Sequence, residues 1–242
     1  KYIFTFIVVL LSNFKKRKIT IFSDQGLSIY KLLFFKKSLL FCHDVLNLLI
    51  IKNKIKVNFE IKNKFIYRLI LYALNKNSII YSSLTTKKNL IDLNVVNKKI
   101  IKLLYPIYHL LHEDNIIADN ILSDKYNFRE NKHSILIISS NTWYKRDDQL
   151  YDLIRSIKNS NVIFNIISLN RTQDISKIEK IKNVKVWYSV SDFDKNYILS
   201  KSNFLIYNSD FEGFGLPILE SLKYSSVVFC KEKEHFKQIY KD

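Results

Sequence analysis

The feature that most constrains the fold of this chain is a regular alternation between two kinds of segment. Short apolar runs rich in Ile, Leu, Val and Phe are separated by longer stretches in which apolar residues recur at helical spacing. Continuous apolar strands spaced by helices are typical of parallel sheets that are covered on both faces. The sequence therefore predicts an α/β protein.

The alternation gives bounds for each element. The predicted strands span residues 3–11, 19–22, 38–42, 78–81, 100–104, 134–138, 162–167, 184–187 and 203–207. The predicted helices span residues 65–74, 84–93, 149–157, 175–181, 193–200 and 217–223. The apolar run 3–11 is far shorter than the ~20 residues of a membrane-spanning helix, so it is predicted as a buried strand and not as a span.

A polar, weakly periodic segment rich in Asn and Asp, residues 111–132, interrupts the alternation, which restarts at Ser134. This segment predicts a boundary between two α/β domains, residues 1–120 and 121–242. In open parallel sheets ligands bind outside the carboxyl ends of the strands. We therefore predict two domains that meet at a ligand-binding cleft.

Charge is spread unevenly over the two predicted domains. The net charge is +17, of which residues 1–120 carry +13 and residues 121–242 carry +4. A basic half favours an anionic partner such as acidic lipid headgroups, a phosphorylated substrate or nucleic acid. The alternative is a lysine-rich composition on solvated faces.

Cys42 and Cys230 share no metal-type spacing and are predicted to be reduced core residues of a cytosolic protein.

Glycine and proline concentrate at one place in the second half. Two of the three glycines and one of the two prolines lie within residues 212–217, between an apolar run and a helix-like run. Gly permits close approach of the backbone, and Pro is favoured in the first turn of a helix. The N–H groups and the dipole of that helix then face an anionic ligand. The sequence predicts an anion site here.

A carboxylate stands on each side of this loop, Glu212 before the glycines and Glu220 on the following helix. Carboxylates bind sugar hydroxyls, and the N–H groups between them bind phosphate. A sugar, a diphosphate and a ribose laid along one loop would satisfy all of these groups. The alternative is an ordinary strand-to-helix turn with two surface glutamates.

At these residues the chain resembles a known family. Ser209-Asp-Phe-Glu-Gly-Phe-Gly-Leu-Pro-Ile-Leu-Glu220 is similar to the E-x7-E motif of glycosyltransferase family 4, retaining enzymes of GT-B fold, whose two Rossmann-like domains face a cleft. The resemblance implies that Glu212 contacts the donor sugar and is catalytic, and that Glu220 binds the nucleotide ribose. It places the loop residues Gly213, Phe214, Gly215 and Leu216 beside the donor.

A second match opens the downstream domain. The predicted strand at 134–138 and the basic loop that ends in Lys145 and Arg146 resemble the place where the family binds the donor diphosphate. Two cations would offset the charge that develops on a leaving diphosphate. The family usually has Gly directly after this pair, whereas this chain has Asp147, which leaves the register open by one residue. An ordinary surface pair is the alternative.

The first half carries a weaker match. Leu39-Leu-Phe-Cys-His-Asp-Val45 resembles a family strand that ends in His-Asp. The resemblance implies that His43 hydrogen-bonds the transferred sugar or shapes the acceptor side, and we assign it a catalytic role. A histidine with a purely structural role is the alternative.

The resemblance extends almost from end to end, and relative to the family both ends look cut. It implies a partial acceptor-side Rossmann-like domain over residues 1–120 and a truncated nucleotide-sugar-binding domain over residues 121–242. The implied enzyme is a retaining, metal-independent hexosyltransferase. It would use a nucleotide-diphosphate sugar without any cofactor and a glycan or lipid-linked acceptor in the synthesis of cell-surface polysaccharide or glycolipid.

Two other readings stay open. The chain is alternatively an inactive remnant of a glycosyltransferase, or a basic module that binds membranes or nucleic acid, for which Lys15-Lys-Arg-Lys18 is the best support. No nucleic-acid-binding motif is visible, so no specific nucleic acid is expected as a partner. The expected location is cytoplasmic, with peripheral contact of the basic half at the inner membrane face.

Overall fold

The computed structural model describes residues 20–22, 38–52, 54–55, 64–76, 78–95, 100–103, 125–126, 128, 133–140, 142–158 and 161–239. The chain divides into two compact units, Lys1–Tyr105 and Pro106–Asp242. Each unit contains one parallel sheet with helices between the strands. The α/β class is therefore confirmed, whereas the boundary predicted within residues 111–132 stays a prediction.

The first unit has a four-stranded sheet of order β1-β2-β3-β4, and every neighbouring pair is parallel. Its strands are β1 (Thr20–Phe22), β2 (Ser38–Cys42), β3 (Ser78–Tyr81) and β4 (Ile100–Leu103). The helices among its described residues are α1 (Leu46–Ile51), α2 (Lys64–Leu74) and α3 (Leu84–Asp92).

The second unit has a five-stranded parallel sheet of order β7-β6-β5-β8-β9. Its strands are β5 (His133–Ser139), β6 (Val162–Ser168), β7 (Val184–Tyr188), β8 (Phe204–Tyr207) and β9 (Val227–Cys230). Its helices are α4 (Asp147–Ser156), α5 (Gln173–Ile178), α6 (Asp192–Ser200), α7 (Leu216–Lys223) and α8 (Glu234–Lys237), with a 3₁₀ turn at Trp143–Lys145.

This strand order places a reversal of direction in the middle of the second sheet. The chain runs outward from β5 through β6 to β7 and then returns to add β8 on the other side of β5. The connections that follow β5 and β8 therefore lead away from each other, which opens a crevice at the carboxyl ends of these strands. The two loops that the sequence marked as functional, after β5 and after β8, are the loops that border this crevice.

Apolar residues cover both faces of this sheet, as predicted for a parallel sheet. Leu136 and Ile137 are consecutive in β5 and fully buried, and they belong to two different hydrophobic clusters. The cluster around Leu136 includes Leu205, Ile218 and Phe236. Because successive strand residues point to opposite faces, both faces of β5 contribute to the core.

The buried polar side chains of this sheet include an amide that is hydrogen-bonded to its neighbouring strands. Asn165, in the middle of β6, is 1% exposed. Its Nδ2 donates to Ser134 Oγ of β5 at 2.9 Å, and its Oδ1 accepts from Trp187 Nε1 of β7 at 3.2 Å. A single amide thus connects three neighbouring strands.

Most predicted elements are confirmed to within a few residues. The predicted strand at 3–11 lies outside the described residues. The predicted helix at 175–181 is shifted to Gln173–Ile178, because the Thr172 side chain accepts the Ile175 N–H and starts the helix earlier. Three elements of the structure, α1, β9 and α8, were not predicted.

Two further observations concern the membrane and the thiols. Within the part of the chain that the structure describes, no helix combines the length and apolar character needed to cross a bilayer. Cys42 is buried and Cys230 is half-buried, and neither forms a disulfide bond with another described residue.

Candidate functional site

An ion pair joins the loop after β5 to the loop after β8. Lys145 Nζ donates to Glu212 Oε1 at 2.7 Å. The Tyr207 hydroxyl, at the end of β8, donates to the same oxygen at 2.9 Å, and Lys145 Nζ also bonds the Tyr207 hydroxyl. The side chains of Lys145 and Glu212 are only 12% and 16% exposed. The structure therefore brings together two residues that the sequence analysis selected separately.

Tyr207 is a member of this group that the sequence analysis missed. It is 2% exposed, and burial, aided by the charge of Glu212, raises the pKa of Tyr207 well above its usual value. The phenol therefore keeps its proton and acts as a donor to Glu212. Its place at the end of the strand directly before the loop was the available signal.

In the loop between Glu212 and Glu220, Gly215 adopts the left-handed backbone conformation that favours glycine. Gly215 has φ +96° and precedes the first turn of α7, which Leu216 and Pro217 begin. A Cβ at Gly215 would lie 3.1 Å from a ring carbon of Phe236. Phe214 is 8% exposed and anchors the loop. The backbone angle thus favours glycine at position 215, and the contact with α8 leaves little room for a side chain there.

Glu220, on α7, has its own lysine. Lys195 Nζ of α6 donates to Glu220 Oε1 at 2.9 Å, and the Glu220 side chain is 12% exposed. The charge of Glu220 also contributes to the raised pKa of Tyr207, so both motif glutamates act electrostatically on one hydroxyl. Each motif carboxylate is therefore partly buried and neutralised by a lysine from another segment.

The side chains of Arg146 and Lys145, although adjacent in sequence, bond to different partners. The Arg146 guanidinium donates two bonds of 3.2 Å to Asp148 and one of 3.2 Å to Asp210, and these carboxylates, Asp148 first, raise the pKa of Arg146. Arg146 itself has the left-handed φ of +51°. A left-handed φ favours glycine. The family has its glycine directly after the basic pair, at the position of Asp147, whereas in this chain the left-handed φ occurs one residue earlier, at Arg146.

A second charged group surrounds Asp210, in the loop after β8. Its Oδ1 accepts from Lys231 at 3.1 Å and from Lys233 at 3.2 Å, while Oδ2 accepts from Arg146 at 3.2 Å. Burial raises the pKa of Asp210, but the three cations, led by Lys231, outweigh it and hold this pKa below its usual value. Neither Asp210 nor these two lysines were among the predicted site residues.

Backbone contacts fix the same two loops against each other. The Asp210 N–H donates to the Tyr144 carbonyl at 2.6 Å, and Ser209 Oγ, fully buried, donates to that carbonyl at 3.3 Å. His235 of α8 lies nearby, is 6% exposed and has a pKa that burial lowers. Its Nε2 has no hydrogen-bond partner among the described residues.

His43 belongs to the first unit, directly after β2. Its ring is exposed and packs against Phe41 with 4.6 Å between ring centroids. Its carbonyl accepts from Ser82 Oγ at 2.6 Å and from Thr86 Oγ1 at 2.8 Å, hydroxyls that follow β3. The backbone at His43 is thus fixed by hydrogen bonds while the imidazole faces solvent.

The described residues contain no cluster of three or more His, Cys, Asp or Glu side chains that could hold a metal ion. An Asp-x-Asp pair, a common metal-ligand spacing, is formed by Asp192 and Asp194 at the start of α6. Asp194 is bonded to Lys125 at 2.9 Å and Asp192 is almost fully exposed, so the two carboxylates have separate roles.

The two parallel α/β sheets, the second of them doubly wound, match the fold of GT-B glycosyltransferases. Residues 119–242, just over half of the chain, match the family described as glycosyl transferases group 1. The chain therefore belongs to the group 1 glycosyl transferases. No curated protein matches it significantly.

Solved structures share this fold at low sequence identity. WaaG, described as a glycosyltransferase involved in lipopolysaccharide biosynthesis, has a TM-score of 0.65 and 13% identity, over 84% of this chain and 59% of that chain. Anabaena HepE, crystallised with UDP and glucose, has a TM-score of 0.69 and 15% identity, over 94% of this chain and 62% of that chain. Starch synthase IV of Arabidopsis thaliana, as a catalytic domain bound to ADP and acarbose, has a TM-score of 0.66 and 12% identity, over 95% and 59%.

These likenesses establish the fold. The chain spans about three fifths of the length of the structures it matches.

Proposed function

We propose that this chain is a retaining glycosyltransferase of family 4 that moves a hexose from a nucleotide-diphosphate sugar to a glycan or a lipid-linked acceptor. The observation that carries the proposal is the contact of Lys145 with Glu212 at the point where the strand order reverses. That contact joins a cation for phosphate and a carboxylate for sugar hydroxyls beside the start of α7.

The donor would lie along the loop after β8. Glu212 Oε1 is bonded by Lys145 and Tyr207, but a carboxylate has about four lone-pair sites, so it retains the capacity to accept hydroxyls of the transferred sugar. The backbone of residues 213–216 and the N-terminus of α7 would face the diphosphate. Glu220 would accept the hydroxyls of the ribose.

The proposed reaction keeps the configuration of the sugar without a side-chain nucleophile. The bond between the sugar carbon and the diphosphate oxygen breaks, and the acceptor hydroxyl attacks from the same face. The departing diphosphate oxygen takes the proton of that hydroxyl. Lys145 and Arg146 would offset the charge that develops on the diphosphate, so we propose that neither a metal ion nor a cofactor is needed.

On the acceptor side we assign His43 to the transferred sugar or to the acceptor, because its exposed ring stands at the carboxyl end of β2 on a fixed backbone. The product would be a cell-surface polysaccharide or a glycolipid. Cytoplasmic location follows from the proposed use of nucleotide sugars.

The surface of α2 supports peripheral contact with an anionic membrane. Phe65 and Tyr72, seven residues apart and so on one side of the helix, are 72% and 55% exposed. Lys64 and Arg68 are exposed beside them. Aromatic rings flanked by cations are typical of helices that lie at a bilayer surface. We place this contact at the inner membrane face.

The donor site is tested by nucleotide-sugar binding. Isothermal titration of the chain with UDP-, GDP- and ADP-sugars should find one that binds, and both Glu212→Ala and Glu220→Ala should weaken that binding at least tenfold. Glu179→Ala, which removes a half-buried carboxylate paired with Arg171, is the matched control and should bind normally. Unchanged affinity in both site variants would overturn the assignment.

Two further measurements separate the alternatives. Donor binding without sugar transfer or donor hydrolysis would identify an inactive remnant.

Vesicles with anionic lipid should bind the chain, and neutral vesicles should not. The double variant Phe65→Ser with Tyr72→Ser should abolish vesicle binding. Phe193→Ser, at an exposed position of α6, should leave it unchanged. Binding of DNA or vesicles without any nucleotide sugar would favour the basic binding module.

A further inference from the structure

Three cations from two loops converge on the single carboxylate of Asp210. Lys231 and Lys233 follow β9 and bond Oδ1 at 3.1 and 3.2 Å. Arg146 follows β5 and bonds Oδ2 at 3.2 Å. Asp210 itself follows β8. The group therefore lies at the carboxyl ends of three adjacent strands, where ligands bind in sheets of this kind.

Positive charge exceeds negative charge in this group. The two lysine ammonium groups share one oxygen, so they stand side by side although like charges repel. The second carboxylate, Asp148, is two-thirds exposed and bonds only to Arg146 among these cations. Glu232, between the two lysines in sequence, pairs with Lys237 instead. An additional anion would complete the neutralisation of this group.

His235 provides an independent indication of a ligand. It is 94% buried, and its Nε2 has no hydrogen-bond partner among the described residues. Buried polar atoms are nearly always satisfied by protein, water or ligand. The charges of Glu212, Lys233 and Asp210, in that order, act on the imidazole, so it lies within electrostatic reach of both charged groups.

We infer that Asp210 holds Lys231 and Lys233 in position for the diphosphate of the donor. When the diphosphate enters, both lysines transfer their hydrogen bonds from Asp210 to phosphate oxygens, and no covalent bond changes. Lys231 and Lys233 are then ligands of the diphosphate, and Asp210 is a positioning residue. This inference rests on the proposed function and deepens it, because it assigns phosphate ligands outside the E-x7-E motif.

The test uses inorganic pyrophosphate as the probe. Lys231→Met with Lys233→Met should lower the affinity for pyrophosphate and for a nucleoside diphosphate roughly tenfold or more, since charge-assisted hydrogen bonds are lost. It should also reduce the dependence of that affinity on salt. Lys177→Met, which removes an exposed lysine paired with Asp174, should change neither. Unchanged pyrophosphate affinity in the double variant would overturn the inference.

A second measurement needs no variant and covers a loss of folding in the first. Acetylation of surface lysines is followed by mass spectrometry with and without pyrophosphate. Lys231 and Lys233 should be protected by pyrophosphate, whereas Lys177 should react equally in both conditions. Equal labelling of Lys231 and Lys233, or no binding of pyrophosphate by the unmodified chain, would overturn the inference.

The two proposals fail in different ways. If nucleotide-sugar binding depends on Glu212 and Glu220 but the lysines have no effect, the function stands and the diphosphate ligands are wrong. If pyrophosphate binding depends on the lysines but no nucleotide sugar binds, the anion site stands and the glycosyltransferase function is wrong.

Discussion

Lys145 Nζ and Glu212 Oε1 are 2.7 Å apart, although 67 positions separate the two residues in sequence. They meet because β5 and β8 are parallel neighbours whose following loops both begin at the carboxyl edge of the sheet. The contact is therefore a direct product of the strand order, and it makes the loop after β8 sensitive to a change in the loop after β5.

Replacement of Glu212 by Gln should reduce stability as well as donor binding. Lys145 would keep its charge in a site where it is 12% exposed and would lose its anion, at a cost of about 1–3 kcal/mol in the free energy of unfolding. Urea unfolding measures this cost. Glu179→Gln, in the exposed pair with Arg171, should cost less than about 1 kcal/mol. Equal losses in the two variants would contradict a special role for the buried pair.

Replacement of Gly215 by Ala should destabilise the loop. Its φ of +96° costs a residue with a Cβ about 1–2 kcal/mol, and the new Cβ would press on Phe236. The free energy of unfolding should fall by at least that amount, whereas Gly213→Ala should cost less because Gly213 does not have a left-handed φ. If Gly215→Ala costs as much in a Phe236→Leu background as in the unmodified chain, the contact with Phe236 makes no contribution.

His235 should make stability depend on pH. Burial lowers the pKa of folded His235 below the 6.5 of an ordinary histidine, so the unfolded chain binds a proton that the folded chain excludes. The effect of His235 on the free energy of unfolding is absent above pH 6.5, where the histidine is neutral in both states. Below pH 6.5 the free energy of unfolding falls by up to about 1.4 kcal/mol per pH unit. Urea unfolding at pH 7.5 and 5.5 measures the change in the free energy of unfolding between these two pH values. That change should be smaller for His235→Gln than for the unmodified chain. His133→Gln, at an exposed position, should keep the difference of the unmodified chain.

Replacement of Ser139 by Ala should destabilise the second unit. Ser139 Oγ donates to Asp147 Oδ2 at 2.7 Å, and the two residues are 2% and 8% exposed. Loss of the donor should cost about 1–3 kcal/mol because the buried carboxylate loses a hydrogen bond. Thermal unfolding measures this loss of stability. In the same experiment Ser156→Ala, which removes an exposed hydroxyl that donates to the Leu153 carbonyl, should lose less stability. A loss as large in Ser156→Ala would contradict this account.

Much of the fold could be predicted because the central strands are buried on both faces and read as continuous apolar runs. The edge strand β9 was missed although its four residues are all apolar; because it lies at the edge of the sheet, Val227 and Phe229 are 53% and 56% exposed. The helices α1 and α8 escaped because six and four residues are too few to show a helical period. Missing β9 also hid Lys231 and Lys233, which follow it directly.

The candidate site divides in the same way. Glu212, Gly215 and Glu220 were visible because a strand, a glycine loop and a helix follow one another in sequence. Tyr207 and Asp210 were not visible, because their roles depend on residues brought from other strands. Arg146 shows the limit most clearly: its neighbour in sequence is Lys145, but its partners in space are Asp148 and Asp210.

The amide of Asn165 has a consequence for how the second sheet assembles. Its bonds to Ser134 and Trp187 form only when β5, β6 and β7 are aligned as they are here. Since a slip by one residue reverses the faces of a strand, a misaligned sheet would bury the amide, the hydroxyl and the indole N–H without partners. Runs of Ile, Leu and Val would pair almost equally well in several alignments. The Asn165 amide therefore favours this alignment of β5, β6 and β7 over its neighbours, although it contributes nothing to the sequence pattern of apolar strands.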